Sequence, residues 1–319
     1  MWANAPLVRR VLILQLMGTA KAAMWLALLV LGFIWGSSFI LMKLALFDTQ
    51  GQPLFPALEV AMGRIAIAGV AMLPFAWKHR AHLTGASIPW LLVVGGLGNM
   101  VPAYLFTTAQ TLVPSSLAGM LNALTPLFTL LVGVAFFRSK VRGLQVLGLL
   151  VGMVGAFILA FQPGTQVAPD MLWGAARVVM ATACYGVSVN VIRNQLGHIP
   201  PAGVASFALG LMALPALVLG WSPSAMDLAF SHPDGMRGLL SVVVLAVVGT
   251  GLALIAFNRI IQRTDALFAS TVTYIIPLFA TFWGWMDHEP LTLLHLVGGL
   301  VVLSGVWLVN RGGKAAPKS

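Results

Sequence analysis

The sequence predicts an all-α polytopic membrane protein, ten transmembrane helices forming two inverted five-helix repeats with both termini cytoplasmic. Three observations predict it. The 319 residues are 59% hydrophobic and only 8% charged, with a mean hydropathy of +0.95, more apolar surface than a soluble core of this length can bury. Ten apolar stretches fall into two sets of five whose punctuation recurs at a spacing of 150 to 151 residues. Lys and Arg gather at one set of alternate ends of these stretches, which orients them.

Hydropathy places the spans near 25–46, 57–77, 88–110, 115–137, 141–161, 170–193, 201–221, 238–260, 266–287 and 290–310. Each is close to the roughly 20 residues needed to cross a hydrocarbon core. Most are continuous apolar runs, too long for core strands and without the alternation of a membrane barrel, so helices are the economical reading. The first ends at Lys43, and the second opens with Glu59 and carries Arg64 about a turn deeper. The third holds Asn99 and Tyr104, and the fourth Asn122, Thr125 and a mid-span Pro126. The fifth carries Gly148, Gly152 and Gly155, the sixth Arg177, Tyr185 and Asn190, and the eighth Asn258 towards its inner end. The ninth holds Thr273, Tyr274 and Pro277, and the tenth follows Glu289-Pro290, an acid and a proline at a helix start. The longest connections, near 47–56 and 222–237, are rich in Pro, Gly, Ser and Asp and leave no room for a soluble domain. The chain therefore divides into an N-terminal cytoplasmic or interfacial segment (1–24), a first repeat (25–161), a linker (162–169), a second repeat (170–310) and a cytoplasmic tail (311–319).

The cations Arg9, Arg10, Lys21, Lys78, Arg80, Arg138, Lys140, Arg142, Arg193, Arg259, Arg263, Arg311, Lys314 and Lys318 all lie on one side of this topology. The opposite loops carry Asp48, Asp170, Asp227, Asp234, Asp287 and Glu289, with Arg237 the one cation there. The positive-inside rule puts the basic side in the cytoplasm. It also accounts for the net charge of +10, so a nucleic-acid partner is not expected. Arg9-Arg10, the apolar VLILQLM and AKA resemble a secretory signal. Cleavage there would invert every loop against the cation bias, so an interfacial segment, or a start assigned upstream of Met17 or Met24, fits better. The lone Cys184 excludes an intrachain disulfide.

The repeat holds residue by residue. At an offset of 151, Gly98, Phe106, Ala118, Pro126, Leu127, Phe128 and Gly133 meet Gly249, Phe257, Ala269, Pro277, Leu278, Phe279 and Gly284. At 150, Gly148 and Gly155 meet Gly298 and Gly305, and Trp35 meets Tyr185. Because five is odd, the second half must insert upside down relative to the first, the symmetry that suits alternating access.

These residues carry a family resemblance through IWGSSFILMK in the first span, the SSLAGMLNALTPLF and FASTVTYIIPLF blocks around the two prolines, and the closing EPLTLLHLVGGLVVLSGV. The chain resembles the ten-helix EamA-type transporters of the drug/metabolite transporter superfamily, over about residues 25–310. The resemblance implies a bacterial inner-membrane carrier, two five-helix halves around a central cavity, commonly exporting small metabolites. One departure is that the family often has an acid before both the fifth and tenth spans; Glu289 keeps it, and Ser139 replaces it in the first half.

Proline removes the hydrogen bond to the carbonyl four residues earlier, so Pro126 and Pro277 kink their helices and free the carbonyls of Asn122 and Thr273. These two polar residues are repeat mates, and in lipid such groups need a partner or a water-filled cavity. A midplane solute site is expected around them, with Thr125 and Tyr274 alongside and Trp35, Ser38, Asn99, Tyr104 and Tyr185 at similar depth. Kinks satisfied by neighbouring helices are the bland alternative. Aromatic walls and uncharged donors suit a small, partly apolar or zwitterionic solute better than a multivalent anion. Among the charges, Lys43 and Glu59 are expected as a gate-like pair, and Arg64 either attracts a carboxylate or snorkels like Arg177.

Smaller four-helix relatives within the superfamily carry a proton-exchanging Glu eight residues before a Lys; here Trp35 stands at that place before Lys43. No carboxylate lies at mid-membrane and His295 is the one deep group titrating near neutrality, so obligatory proton coupling through a buried acid is not expected. Enzyme signatures are absent: no HExxH, GxSxG, phosphate loop or Cys/His cluster. Asp287-His288-Glu289 lacks further ligands for a metal. No catalytic residue, cofactor or metal is therefore expected, only a small-molecule solute and the bilayer. The GxxxG spacings Gly32–Gly36 and Gly148–Gly152 mark close helix contacts, within the bundle or in a homodimer. A multidrug or amphipathic-compound exporter is the nearest alternative, and a non-transporting polytopic protein the next.

Overall fold

The computed structural model describes residues 7–160, 169–220, 222–287 and 293–313. Its elements are α1 (Leu7–Leu46), α2 (Ala57–Ala71 bent by 46° into Leu73–His82), α3 (Gly85–Gln110) and α4 (Ser115–Phe137). They continue with α5 (Gly143–Ala160), α6 (Pro169–Gln195), α7 (Pro201–Gly220) and α8 (Pro223–Ser231). The last are α9 (Gly235–Arg263), α10 (Ala266–Met286) and α11 (Leu293–Gly313). Among the described residues the only β pairing is an isolated bridge between Phe47 and Pro53.

Among the described residues seven helices are long and apolar enough to cross a bilayer: Met24–Leu46 of α1, then α3, α4, α6, α7, α9 and α10. α2 joins them if its two limbs count as one span, its bend lying at Met72, just ahead of Pro74. The apolar parts of α5 and α11, Gly143–Gly155 and Val297–Val309, are shorter. α1 runs unbroken from Leu7, so the backbone of segment 1–24 is helical from that point. The connection at 222–237 is not merely a loop. It contains α8, whose start is fixed by Pro223 at its first position and by Ser222, whose hydroxyl accepts from the Ala225 amide at 3.2 Å. Residues 161–168, Glu289 and the His295 side chain lie outside the described residues, as do the expectations placed on them.

The two repeats interpenetrate. α1 packs on α10 and, correspondingly, α6 on α4; α5 packs on α11 and α2 on α7. Gly32 and Gly36 let α10 approach, since a Cβ at Gly36 would lie 3.1 Å from the Ile276 carbonyl oxygen. A Cβ at Gly148 would lie 2.5 Å from the Val309 backbone nitrogen of α11. Both GxxxG stripes are thus used within the chain.

Helix irregularities recur in pairs. α3 and α9 each widen into a π turn, at Gly96–Met100 and Val247–Leu252. Asn99 Nδ2 donates to the Val94 carbonyl and Thr250 Oγ1 to the Leu245 carbonyl, each five residues back and each at 3.0 Å. α4 tightens to a 3₁₀ turn at Asn122–Leu124 just before Pro126, and α10 breaks at Thr271 ahead of Pro277.

Candidate functional site

These paired irregularities border one cavity of about 930 Å³, its open mouth included. Trp35, Ser38, Asn99, Asn122, Thr125, Tyr185 and Thr273 all line it, as does Arg64. Seven of the nine residues expected at a solute site are therefore brought together. The other two are not. Tyr104 is 43% exposed, on the far side of α3. Tyr274 is fully buried against Gly152 of α5, where its hydroxyl donates to the Leu149 carbonyl at 3.4 Å. Neither side chain is among those lining the cavity.

Cavity walls are held by matched contacts. Trp35 Nε1 donates to the Gly249 carbonyl at 3.0 Å, and its ring meets Phe257 edge-on with centroids 4.9 Å apart. Its mate Tyr185 stacks on Phe106, the mate of Phe257, at 6.0 Å. Ser38 sits against Gly249 and Ser188 against Gly98, the same pairing in each half. Near the kinks, Thr125 Oγ1 donates to the Asn122 carbonyl at 2.8 Å, so the acceptor released by Pro126 is satisfied from the next turn. Thr273 Oγ1 donates to the Ser270 carbonyl at 2.8 Å.

Charges divide between this cavity and the ends of the bundle. Lys43 pairs with Asp287 at the end of α10, not with Glu59 as the sequence suggested. Glu59 accepts from Ser222 Oγ at 2.6 Å, and its other carboxylate oxygen is buried without a hydrogen-bond partner. It lines a separate, smaller pocket with Phe55, Gly220 and Met226. The gate-like pair fails because the chain turning at α8 brings Ser222 to Glu59, while the partner of Lys43 lies 244 residues away in sequence. Arg177 donates to the Thr108 carbonyl at 3.1 Å. Arg64 turns inward, its Nε donating to Thr250 Oγ1 at 2.7 Å, and it is the one charged residue among those lining the cavity.

Thr250, Ser188 and the Phe106–Phe257 pair were missed as site residues, yet each could have been found. Thr250 is the mate of Asn99 at 151, and Ser188 that of Ser38 at 150. Among the described residues no cluster of His, Cys, Asp and Glu could hold a metal ion.

Comparison with known proteins agrees with this architecture. A model described as the EamA-like transporter family matches residues 22–161 and again 172–311. The "Uncharacterized inner membrane transporter YedA" of Escherichia coli (strain K12) is 27% identical over 295 residues, 90% of each chain. The "Probable terminal-alkyne amino-acid exporter" of Streptantibioticus cattleyicolor is 24% identical, covering 91% of this chain and 93% of that one. The "Aromatic amino acid exporter YddG" of Ancylobacter novellus is 27% identical over 221 residues, 68% of this chain and 70% of that one. One solved crystal structure shares the fold with a TM-score of 0.65 at 19% identity, covering 92% of this chain and 98% of that one.

Proposed function

Because this chain belongs to the EamA-like transporter family, we propose that it is a ten-helix secondary carrier of the inner membrane exporting a small metabolite, an amino acid or a related compound. In this reading the shorter α5 and α11 complete the ten spans, the two halves are inverted about the membrane plane, and both termini are cytoplasmic. The solute binds among Trp35, Ser38, Asn99, Asn122, Thr125, Tyr185 and Thr273. One observation carries the proposal: a single cavity between the halves, lined by repeat mates from each. The exporters named among the relatives support the solute class.

Alternating access needs contacts that close one end while the other opens. Candidates lie at both ends, and the cations that make them, Lys43 and Arg193, are repeat mates. Lys43 ties α1 to α10 through Asp287 at one end. Its counterpart Arg193 ties α6 to α9 at the other, donating to the Gln262 carbonyl at 2.8 Å. Rocking one half against the other would release one tie while the other holds, around an unmoved midplane.

Solute counterflow in proteoliposomes tests the reading, with labelled pools of amino acids, purines, sugars, organic acids and amines and an Asn122→Ala, Thr273→Ala double variant beside the unmodified protein. One pool should exchange, and the folded double variant should lose that exchange at least tenfold. Exchange of none of the pools would overturn the carrier, and full exchange by the variant would overturn the midplane site.

A further inference from the structure

Arg64 stands where a lone cation is costly. It lies on α2 within the bundle, among the apolar and aromatic side chains of the cavity. A guanidinium stays protonated and presents five N–H donors. Only Nε has a partner, Thr250 Oγ1. Among the described residues no carboxylate pairs with Arg64, the ion pairs there being Lys43–Asp287, His232–Asp48 and Arg237–Asp234. Arg64 lines the cavity, and among the described residues no acceptor is bonded to the four N–H groups on Nη1 and Nη2. Their planar fork matches the two oxygens of a carboxylate, and a buried charge left without a partner is unfavourable.

Arg64 also breaks the internal symmetry. Aligning Leu73-Pro74 with Leu214-Pro215 places Ala205 of α7 opposite it, and Ala205 lines the same cavity. A scaffold needs no charge at this position, since the second half is built without one.

We propose that the solute is a monocarboxylate anion with an apolar body, its carboxylate bound to Arg64 and Thr250 and its body lodged against Trp35, Phe257 and Tyr185. The proposal rests on the carrier reading above and deepens it by naming the charge state transported. A monoanion brings cavity and solute to neutrality. A zwitterionic amino acid leaves one positive charge, with its ammonium next to the guanidinium and no acid on the wall to receive it. Neutral amide and hydroxyl oxygens on the wall, such as those of Asn99, Asn122 and Tyr185, can accept from an ammonium but cannot cancel its charge. A phosphate monoester, with a charge of roughly −1.5 to −2, overshoots in the other direction. A cleft holding His79, Arg259 and Arg263 adjoins the cavity through Asn258, whose amide donates to the Pro201 carbonyl at 3.3 Å. The positive-inside rule already explains those cations, but they would also draw an anion to that end.

The test is equilibrium binding to the purified, lipid-reconstituted full chain, using shape-matched triads that differ only in charged groups. These are 3-phenylpropionate, phenylalanine and phenethylamine; indole-3-propionate, tryptophan and tryptamine; and 4-methylpentanoate, leucine and isopentylamine, with phenyl phosphate as the dianion. In at least one triad the acid should bind at least tenfold more tightly than the amino acid, the amine weakest, and phenyl phosphate below 3-phenylpropionate. Arg64→Gln should erase the acid's advantage, and Arg64→Lys should keep the order at reduced affinity. Because Arg64→Lys retains the charge, it separates loss of recognition from loss of fold. Binding of amino acids as tight as the acids, an order unchanged in Arg64→Gln, or no preference for the acid in any triad would overturn the proposal. Counterflow on the same vesicles distinguishes the failures: exchange of amino acids without preference for acids sinks this inference alone, whereas no exchange of any pool sinks the carrier reading.

Discussion

On the first-repeat side of the cavity Arg64 reaches from α2 to Thr250 of α9; on the second-repeat side Ala205 of α7 takes the corresponding place near Asn99 of α3. Around this one mismatch nearly everything else is matched. Trp35 and Tyr185 pack on the mates Phe257 and Phe106 respectively, Ser38 and Ser188 each lie on a glycine, and Asn99 and Thr250 each cap a π turn. The difference teaches which constraints duplication satisfies. If two conformations related by the internal symmetry are to interconvert, their packing must be nearly equivalent, so scaffold contacts recur in pairs. A solute is bound once and has its own polarity, so the group that recognises its charge need occur only once.

The comparison breaks first at the scaffold. Gly155 and Gly305 are mates, and each lies against backbone of the partner helix: a Cβ at Gly155 would be 2.5 Å from the Val302 nitrogen, and one at Gly305 would be 2.6 Å from the Gly152 Cα. Gly155→Val and Gly305→Val should each cost about 3 kcal/mol or more, read as loss of thermal stability in detergent. Similar losses would mean that the α5–α11 seam is symmetric energetically as well as geometrically. If one variant were tolerated, the matched geometry would not imply matched load.

A smaller effect separates the two aromatic mates. The Trp35 indole holds the Gly249 carbonyl, whereas the Tyr185 hydroxyl has no recorded protein partner among the described residues and lines the cavity. Trp35→Phe should destabilise by about 1 to 3 kcal/mol through the unpaired carbonyl, and Tyr185→Phe should change stability by less than about 0.5 kcal/mol. Equal stability losses would show that the two walls carry the same structural role, against the view that the tyrosine serves the solute.

What the sequence disclosed follows the same division. Spans, repeat and kink prolines were legible because hydropathy, offset and proline chemistry are local or periodic properties. Asn122 and Thr273 were placed at a site by proline chemistry joined to repeat arithmetic, and the same arithmetic extended to Asn99 and Ser38 would have added Thr250 and Ser188. Tyr104 and Tyr274 do not line the cavity, because position along a span does not fix the face of a helix, and that face is set by neighbours distant in sequence. The partner of Lys43 was illegible for the same reason: Asp287 meets it only because α1 packs along α10. α8 was missed although Ser222-Pro223 is a helix-start signal, since a Pro- and Ser-rich connection masks a nine-residue helix.

The smallest effect expected concerns a charge that the protein itself satisfies, in contrast to Arg64. In the connection before α9, Asp234 accepts from the Thr49 amide and from the Thr49 hydroxyl, both at 2.8 Å, with Arg237 3.7 Å away. Those bonds, the backbone amide first, hold its carboxyl below the ordinary aspartate value. A carboxyl whose pKa is depressed on folding adds stability that is present above its unfolded value, near 3.9. That stability is lost as pH falls through the folded value. Unmodified protein should therefore lose thermal stability more steeply than Asp234→Asn on acidification below about pH 4, while the gap between the two stays constant at higher pH. A gap that instead changed across neutral pH would show that the clasp between Thr49 and Asp234 is not governed by the Asp234 carboxyl alone.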